Sequence, residues 1–456
     1  MLTRRRFRHS RQNRTLRYGL YVLAALLFID ILTILKHYRV FQQNLSAHIH
    51  TDRTTLPSPV RDQKIFICTQ VWTNAEVVYY RWGDAIIDMV EALGPENVFL
   101  SIYESGSLDN TKEMLEFLER QLEQRFPTLR KEIRMENTTH EDEMNVGPYD
   151  GNGNPRPGWV LPPSETEKKQ LRRIPFLAKL RNISLQPLLR ERALGRTYDK
   201  ILFVNDVVFT PSDVLTLLAT NQGSYSTACA LDFHSESRFG LAPYYDTFVL
   251  RDTKHQPHLS LQFPYFRPSD SLDAIWAGKP ARTTTTLPRP IDDTALGLPF
   301  RGISDGLAAH HLEASECCLI HVDHATINPN HLPLYVNPAV RVAYSTKAYN
   351  LVHFGGGMIT RTKHNGVRVS LAGPESQGFL SGVQYVLATW LHRLNRLRTS
   401  SAAAQQAKVV ETARKWLGEE GTMAERAEKA RELGKNGEMC LIDEMHLLIE
   451  NGWRHA

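Results

Sequence analysis

The sequence predicts an α/β protein: a Rossmann-like domain with a mostly parallel sheet, carried behind an N-terminal transmembrane helix. Three observations predict this. Between residues 64 and 126, apolar strands alternate with amphipathic helices, the pattern of a doubly wound parallel sheet. Residues 200–206, Lys-Ile-Leu-Phe-Val-Asn-Asp, run from apolar residues into two oxygen-bearing side chains. Such a run reads as a strand buried on both faces, with Asn205 and Asp206 in the crevice beyond its carboxyl end. The third is the apolar stretch Tyr18–Leu35, whose one charge is Asp30.

That stretch is at the lower length limit for a membrane span. Seven arginines precede residue 18, and removing them takes the formal charge of the 456-residue chain from +5 to −2. The body is near neutral, so no nucleic-acid partner is expected. Basic residues before the span place the N-terminus in the cytosol and the remainder in the secretory lumen. The expected organisation is a cytosolic tail (1–17), a signal anchor (18–35), a polar stem (36–62), a catalytic-type domain (63–350) and a helical C-terminal extension (351–456). Sequons at Asn44, Asn137 and Asn182 suit a lumenal location. Five cysteines (68, 229, 317, 318, 440) are too few and too irregular for a disulfide scaffold.

In the body, Lys64–Trp72 reads as the first strand, Glu76–Leu93 as a helix closed by Gly94-Pro95, and Asn97–Tyr103 as the second strand. Asn110 with Glu113 resembles a capping box opening the next helix. Residues 144–165 form a long Pro/Gly/Asn-rich loop, and a basic helix from Glu167 to about Ala193 leads into 200–206. Strands are expected over Thr227–Phe233, Tyr244–Asp252, Cys318–Ile327 and Arg341–Tyr344, and a helix over Leu307–Glu316, with residues 281–300 irregular.

Several residues can carry chemistry. A carboxylate beside a second hard oxygen suits a divalent cation, Mn²⁺ or Mg²⁺, that grips a diphosphate, so Asn205 and Asp206 are candidate metal ligands. The same pair also suits a strand-to-helix junction, with Ser212-Asp213 as the cap. Tyr103 and Glu104 end the second strand and could meet a nucleoside. Arg173 and Arg181, eight apart on the basic helix, are candidate phosphate contacts. Asp232 and Asp246 are the candidates for the reacting centre. The run His310, His311, Glu313, Glu316, Cys317, Cys318, His321, Asp323, His324 lacks structural-zinc spacing, and from it His321 is a candidate third metal ligand. No GxGxxG turn follows the first strand, which disfavours an epimerase-type dinucleotide site.

Seven segments carry a family resemblance: 103–112 (YESGSLDNTK), 172–182, 202–218 (LFVNDVVFTPSDVLTLL), 228–233 (ACALDF), 244–252 (YYDTFVLRD), 311–323 (HLEASECCLIHVD) and 336–344 (VNPAVRVAY). Together, over about residues 63–350, the chain resembles the fungal cryptococcal-type α-1,3-mannosyltransferases, the family that includes capsule-associated proteins. The resemblance implies a glycosyltransferase A-type fold and a single-pass type II Golgi membrane protein. It implies GDP-mannose as donor, a mannose-containing glycan as acceptor and an α-1,3 bond made with retention. Two departures stand out. Asn205-Asp206-Val207 lacks the second acid of the usual Asp-x-Asp signature, as the family itself does. The Thr/Pro-rich stretch 281–290 replaces a family Cys-Trp-Asn-Gly segment. Either an exon is misassigned here or part of the acceptor or donor wall is lost, and in the second case the expected alternative is a catalytically silent Golgi glycan-binding or assembly protein.

Overall fold

The computed structural model describes residues 2–161, 169–234, 243–246, 249–254, 256, 263, 265–266, 269–283, 299–327, 333–354, 381–396, 400–418, 422 and 438–443. Strands are numbered β1 (Ile65–Val71), β2 (Val98–Glu104), β3 (Arg130–Met135), β4 (Trp159–Val160), β5 (Gln170–Leu171), β6 (Lys200–Phe203), β7 (Thr227–Phe233), β8 (Ala281–Arg282), β9 (Leu312–Ala314), β10 (Leu334–Ala343) and β11 (Leu441–Asp443).

The main sheet has the order β3-β2-β1-β6, with every pair parallel. Parallel neighbours require crossovers, and helices Gly83–Leu93, Thr111–Arg125 and Arg173–Ala193 supply them. β1 is buried on both faces, which explains its unbroken apolar character. Ile65, Ile67 and Val71 join the core under the first two helices, whereas Phe66 and Cys68 pack with Phe99 towards Leu185 and Leu188 of the third. β6 departs from the expectation of a strand buried on both faces. It is an edge strand with one partner, and Ile201 is 49 % exposed.

The second sheet has the order β7-β10-β8, with β10 parallel to β7 and antiparallel to β8. The register of β10 shifts between Val336 and Arg341, around Pro338, which has no N–H to give the ladder. Val208 and Ala343 exchange backbone hydrogen bonds of 2.8 and 3.3 Å, joining the end of β10 to the segment that leaves β6. The two sheets are thus hinged where the candidate residues lie.

The structure departs from several sequence expectations. Residues Cys318–Ile327 lie in a helix (Glu316–Ile327), not a strand, so His321 and Asp323 do not share a strand face. Only a short helix, Asp305–Ala308, precedes β9 within Leu307–Glu316. The described part of 244–252 meets Phe233 in a single bridge at Tyr244. The basic helix starts at Arg173, after β5. Asn110 makes no side-chain cap; Asp109 instead accepts from Thr111 N–H at 3.0 Å.

The N-terminal helix runs over Leu2–Ala47, and the portion from Arg17 is long and apolar enough to cross a membrane. Its last turns are not a free stem. Ile34, Phe41 and Leu45 are buried in the core around the second sheet, with Tyr265, Phe266 and Tyr385. The C-terminal region is tied in as well. β11 pairs antiparallel with β9, and Cys440 forms a disulfide with Cys318 across 122 residues of sequence. Trp416, Val409 and Leu441 pack there against Leu307, Leu312 and Leu319.

Candidate functional site

The carboxyl ends of β1, β2 and β6 open on one crevice. Val71 is level with Glu104 in the ladder, and Val204 N–H donates to Cys68 O at 2.9 Å just before Asn205-Asp206. Asn74, in the loop after β1, donates from Nδ2 to Asp206 O at 3.0 Å and to Asp206 Oδ2 at 3.1 Å. A π-helical turn, Val78–Trp82, interrupts the following helix and sets Trp82 so that its indole donates to Asn205 O at 3.1 Å. The Asn-Asp strand end is therefore fixed by backbone and side-chain bonds from the first βα unit. Burial raises the Asp206 carboxyl above its ordinary value, against the bonds from Asn74 and the charge of Arg181.

Asp232 enters from the second sheet. It pairs with Val342 of β10, one residue from the Ala343–Val208 link, and Val208 lies two residues beyond Asp206. Asp246 N–H donates to Asp232 Oδ1 at 3.2 Å. Burial, reinforced by the Asp246 charge, holds the Asp232 carboxyl well above the carboxylate range. Asp246 is pushed up to about 6 by burial and then by Glu316, with Arg181 opposing. Two tyrosines border this acid group. Burial raises the Tyr245 phenol, Arg173 lowers it, and Asp246, Asp232 and Asp206 raise it further. Tyr344, with its ring 4.4 Å from Tyr245, responds to the same three carboxylates. Backbone geometry thus places Asp232 and Asp246 together, one strand link away from the segment that follows Asp206.

Arg181 closes the wall opposite. Its guanidinium donates to Glu316 Oε1 at 2.9 Å and to Asn205 Oδ1 at 3.2 Å, and it lies 4.6 Å from the Phe203 ring centre and 5.6 Å from that of Phe300. Burial works against this charge, but the Glu316 carboxylate bonded to it and the nearby Asp246 keep it protonated. Both of its hydrogen-bonding edges therefore engage protein groups, and its placement is that of a clamp on Asn205. Arg173, at the first turn of the same helix, is exposed.

Tyr103 and Glu104 sit at the β2 end as expected, yet both are buried. Glu104 Oε1 accepts from Ser107 N–H, and Oε2 lies 3.8 Å from Lys112 Nζ with no hydrogen-bond partner. Arg134 stands 5.8 Å over the Tyr103 ring, whose hydroxyl is pushed up to about 12, mainly by burial. Gly106 follows with φ +73°, and a Cβ there would meet Thr138 O at 2.1 Å, so the loop needs glycine. His321 Nε2 stands 3.6 Å from Cys229 Sγ. Among the described residues, no three His, Cys, Asp or Glu side chains converge as a metal-ligand set.

The acidic run at 313–323 resolves into three arginine pairings. Arg172 forks onto Glu313 at 2.7 and 3.1 Å, Arg181 holds Glu316, and Arg301 forks onto Asp323 at 2.7 and 2.9 Å. The altered stretch 281–290 is described only to Thr283, where β8 pairs with β10; 284–298 and His324's side chain lie outside the described residues. Asn74, Trp82, Tyr245 and Tyr344 join the site without having been candidates from sequence, and Glu316 was a candidate only as part of the 310–324 run. Asn74 alone had a signal, its place just beyond a parallel strand.

A family model described as Cryptococcal mannosyltransferase 1 matches residues 64–323. The chain belongs to this family. The matched span runs from the residue before β1 to the helix that carries Glu316 and His321, so it contains the residues described above except Val342, Ala343 and Tyr344 at the end of β10. No curated protein matches the chain. Membership supports a glycosyltransferase of the mannosyltransferase kind, and sugar substrates with it.

Proposed function

We propose that the protein is a membrane-anchored mannosyltransferase of glycosyltransferase A type. It moves mannose from GDP-mannose to a hydroxyl of a mannose-containing glycan, forming an α-1,3 bond with retention. We place it in the Golgi membrane as a single-pass type II protein with the crevice in the lumen. The observation that carries the reading is the Asn205-Asp206 strand end of a parallel sheet, tied through the Val208–Ala343 link to the sheet that bears Asp232 and its neighbour Asp246, in a mannosyltransferase-family chain. A disulfide fits an oxidising lumen.

Asp206 at the strand end is the carboxylate that a hard divalent cation would use, and a bound positive charge would relieve the burial that raises it. Asp206 would hold the ion, with Asn205 limited by its bond to Arg181 and His321 as a further ligand. Such an ion, Mn²⁺ or Mg²⁺, supplies charge to offset a departing nucleotide diphosphate. The chain's own groups do the rest. Exposed Arg173 binds phosphate oxygens, while Arg181 orients the strand end through Asn205 and Glu316. Tyr103 and Glu104 form the nucleoside end. Asp232 and Asp246 have proton affinities set apart by their surroundings, the arrangement that assigns acid and base roles within a carboxyl pair. Asp246, ionised near neutral pH, stabilises an oxocarbenium-like anomeric centre or accepts the acceptor proton, and Asp232 holds its proton beside it.

The test is transfer by the purified full chain from a panel of sugar nucleotides to manno-oligosaccharides, with Mn²⁺, Mg²⁺ or chelator. GDP-mannose should be consumed with a matching product, and Asp206→Ala should abolish transfer while remaining folded. If GDP-mannose neither transfers nor binds in the presence of metal, and Asp206→Ala behaves like the parent, the silent glycan-binding reading replaces this one.

A further inference from the structure

Helix Gly382–Arg396 packs antiparallel against the N-terminal helix. Gly382 backs onto Leu35 and Tyr38, and the Tyr38 and Tyr385 rings are 5.4 Å apart. Two turns further on, Trp390 Nε1 and Arg393 Nη1 donate to Asp30 Oδ2 at 2.9 and 2.7 Å. The second helix therefore descends along the first, towards its exposed apolar half. Its inner face, with Tyr385, Val386 and Ala388, is in the core. Its outer face carries Val383, Leu387, Leu391 and Leu394 at helical spacing, 71, 49, 53 and 59 % exposed. Over the same stretch the N-terminal helix exposes Leu26, Phe28, Ile29 and Leu32.

Depth along the helix decides what covers this stripe. With Arg17 at the cytosolic boundary and a rise of 1.5 Å per residue, Asp30 lies ~20 Å in and Leu35 ~27 Å in, inside a hydrocarbon layer of ~30 Å. The side chains level with Leu35 and Asp30 are those of Gly382 to Arg393. We propose that helix Gly382–Arg396 is a second membrane element, immersed beside the span in the lumenal half of the bilayer with its Val383–Leu394 stripe facing lipid. Asp30 is then explained. An acid at that depth is costly alone, and the Arg393 guanidinium and Trp390 indole answer it. Because the inner face of the same helix is part of the core around the second sheet, the catalytic crevice is held at a fixed height and tilt above the membrane.

This inference rests on residues 18–35 being a span, and the experiment separates the two. The full chain is reconstituted in phosphatidylcholine vesicles with or without doxyl-labelled lipid, carrying one environment-sensitive probe at Leu26→Cys, Leu387→Cys, Leu391→Cys or Leu108→Cys. Leu108, in the loop after β2, is a more exposed apolar side chain (69 %) and serves as the aqueous reference. The probes at 26, 387 and 391 should lose most of their fluorescence to the quencher lipid and the probe at 108 none. Quenching at 26 with 387 and 391 behaving like 108 overturns the proposal and leaves the anchor intact. No quenching at 26 overturns the span itself. Efficient cross-linking between copies through position 391, without lipid quenching, assigns the stripe to a second copy and also overturns it.

Discussion

The Cys318–Cys440 bond is where a single substitution should tell most about how the site is supported. Cys318 is the third residue of the helix that presents Glu316 to Arg181, and Cys440 precedes β11, which among the described residues pairs with β9 alone. The substitution to make is Cys440→Ser, which leaves a side chain of similar size. In the chain-entropy account, closing a loop costs the unfolded state 2.1 + 1.5R ln n cal/mol/K. For the 122-residue separation this is roughly 16 cal/mol/K, or about 5 kcal/mol at 25 °C. That is an upper figure, yet it is comparable with the whole stability of many domains, about 5–15 kcal/mol. The assay is urea unfolding of parent and variant, each with and without reductant. With a slope of about 3 kcal/mol/M, the variant's midpoint should fall by up to roughly 1.7 M, and reductant should bring the parent to the same place. Hydrogen exchange should quicken first in β9, β11 and the start of helix Glu316–Ile327. An unchanged midpoint, or a reductant that shifts the variant as far as the parent, would refute the reasoning.

Three further outcomes follow from the geometry. Arg181→Leu leaves Glu316 buried without its cation and should cost about 3–5 kcal/mol in denaturation, with a good part recovered in the Arg181→Leu/Glu316→Leu double variant. Asp246, raised to about 6 in the fold, must be ionised to act, so transfer should fall as pH drops through about 6, and Asp246→Asn should remove that limb along with most activity. The linked stability effect has the opposite sense. A raised carboxyl favours the fold below its unfolded value near 3.8, and that contribution is lost as pH rises through about 6, measurable as a melting shift absent from Asp246→Asn. For the sequons, Asn137 is exposed, whereas Asn44 and Asn182 donate from Nδ2 to Ala277 O and Phe300 O at 2.6 and 2.8 Å. Lumenal folding should yield a glycan at Asn137, removed by Asn137→Gln and detected by glycosidase shift; a glycan at Asn182 in the folded protein would contradict the packing.

Periodicity carried the first βαβα unit and the parallel sheet, because β1 and β2 are buried on both faces and their helices have one apolar stripe each. It misread Cys318–Ile327 as a strand: a short, mostly apolar run of that kind fits a strand as well as a helix buried nearly all round, with Cys318, Leu319, Ile320 and Val322 all buried. The same limit applies to β6, whose apolar run is that of a buried strand although it lies at the sheet edge. Residues 36–62 look polar on average, yet Ile34, Phe41 and Leu45 continue one helical face into the core, so average composition hid the packing.

The site was legible to the extent that strand ends were. Asn205-Asp206, Glu104 and Asp232 each announce themselves at the close of an apolar run, and topology then brings them to one side. What could not be read was the partner of each charge. Glu313, Glu316 and Asp323 lie within eleven residues of one another and suggest a shared ligand site. Their guanidinium partners Arg172, Arg181 and Arg301 come from two other segments and draw each carboxylate in a different direction. Arg181 shows the consequence most plainly. As a bare arginine on a basic helix it suits phosphate, yet stacked between Phe203 and Phe300 and bonded to Glu316 it holds Asn205 instead. A pairing across more than a hundred residues has no local pattern, so the electrostatics of this crevice belong to the fold, whereas the positions of its acids belong to the sequence.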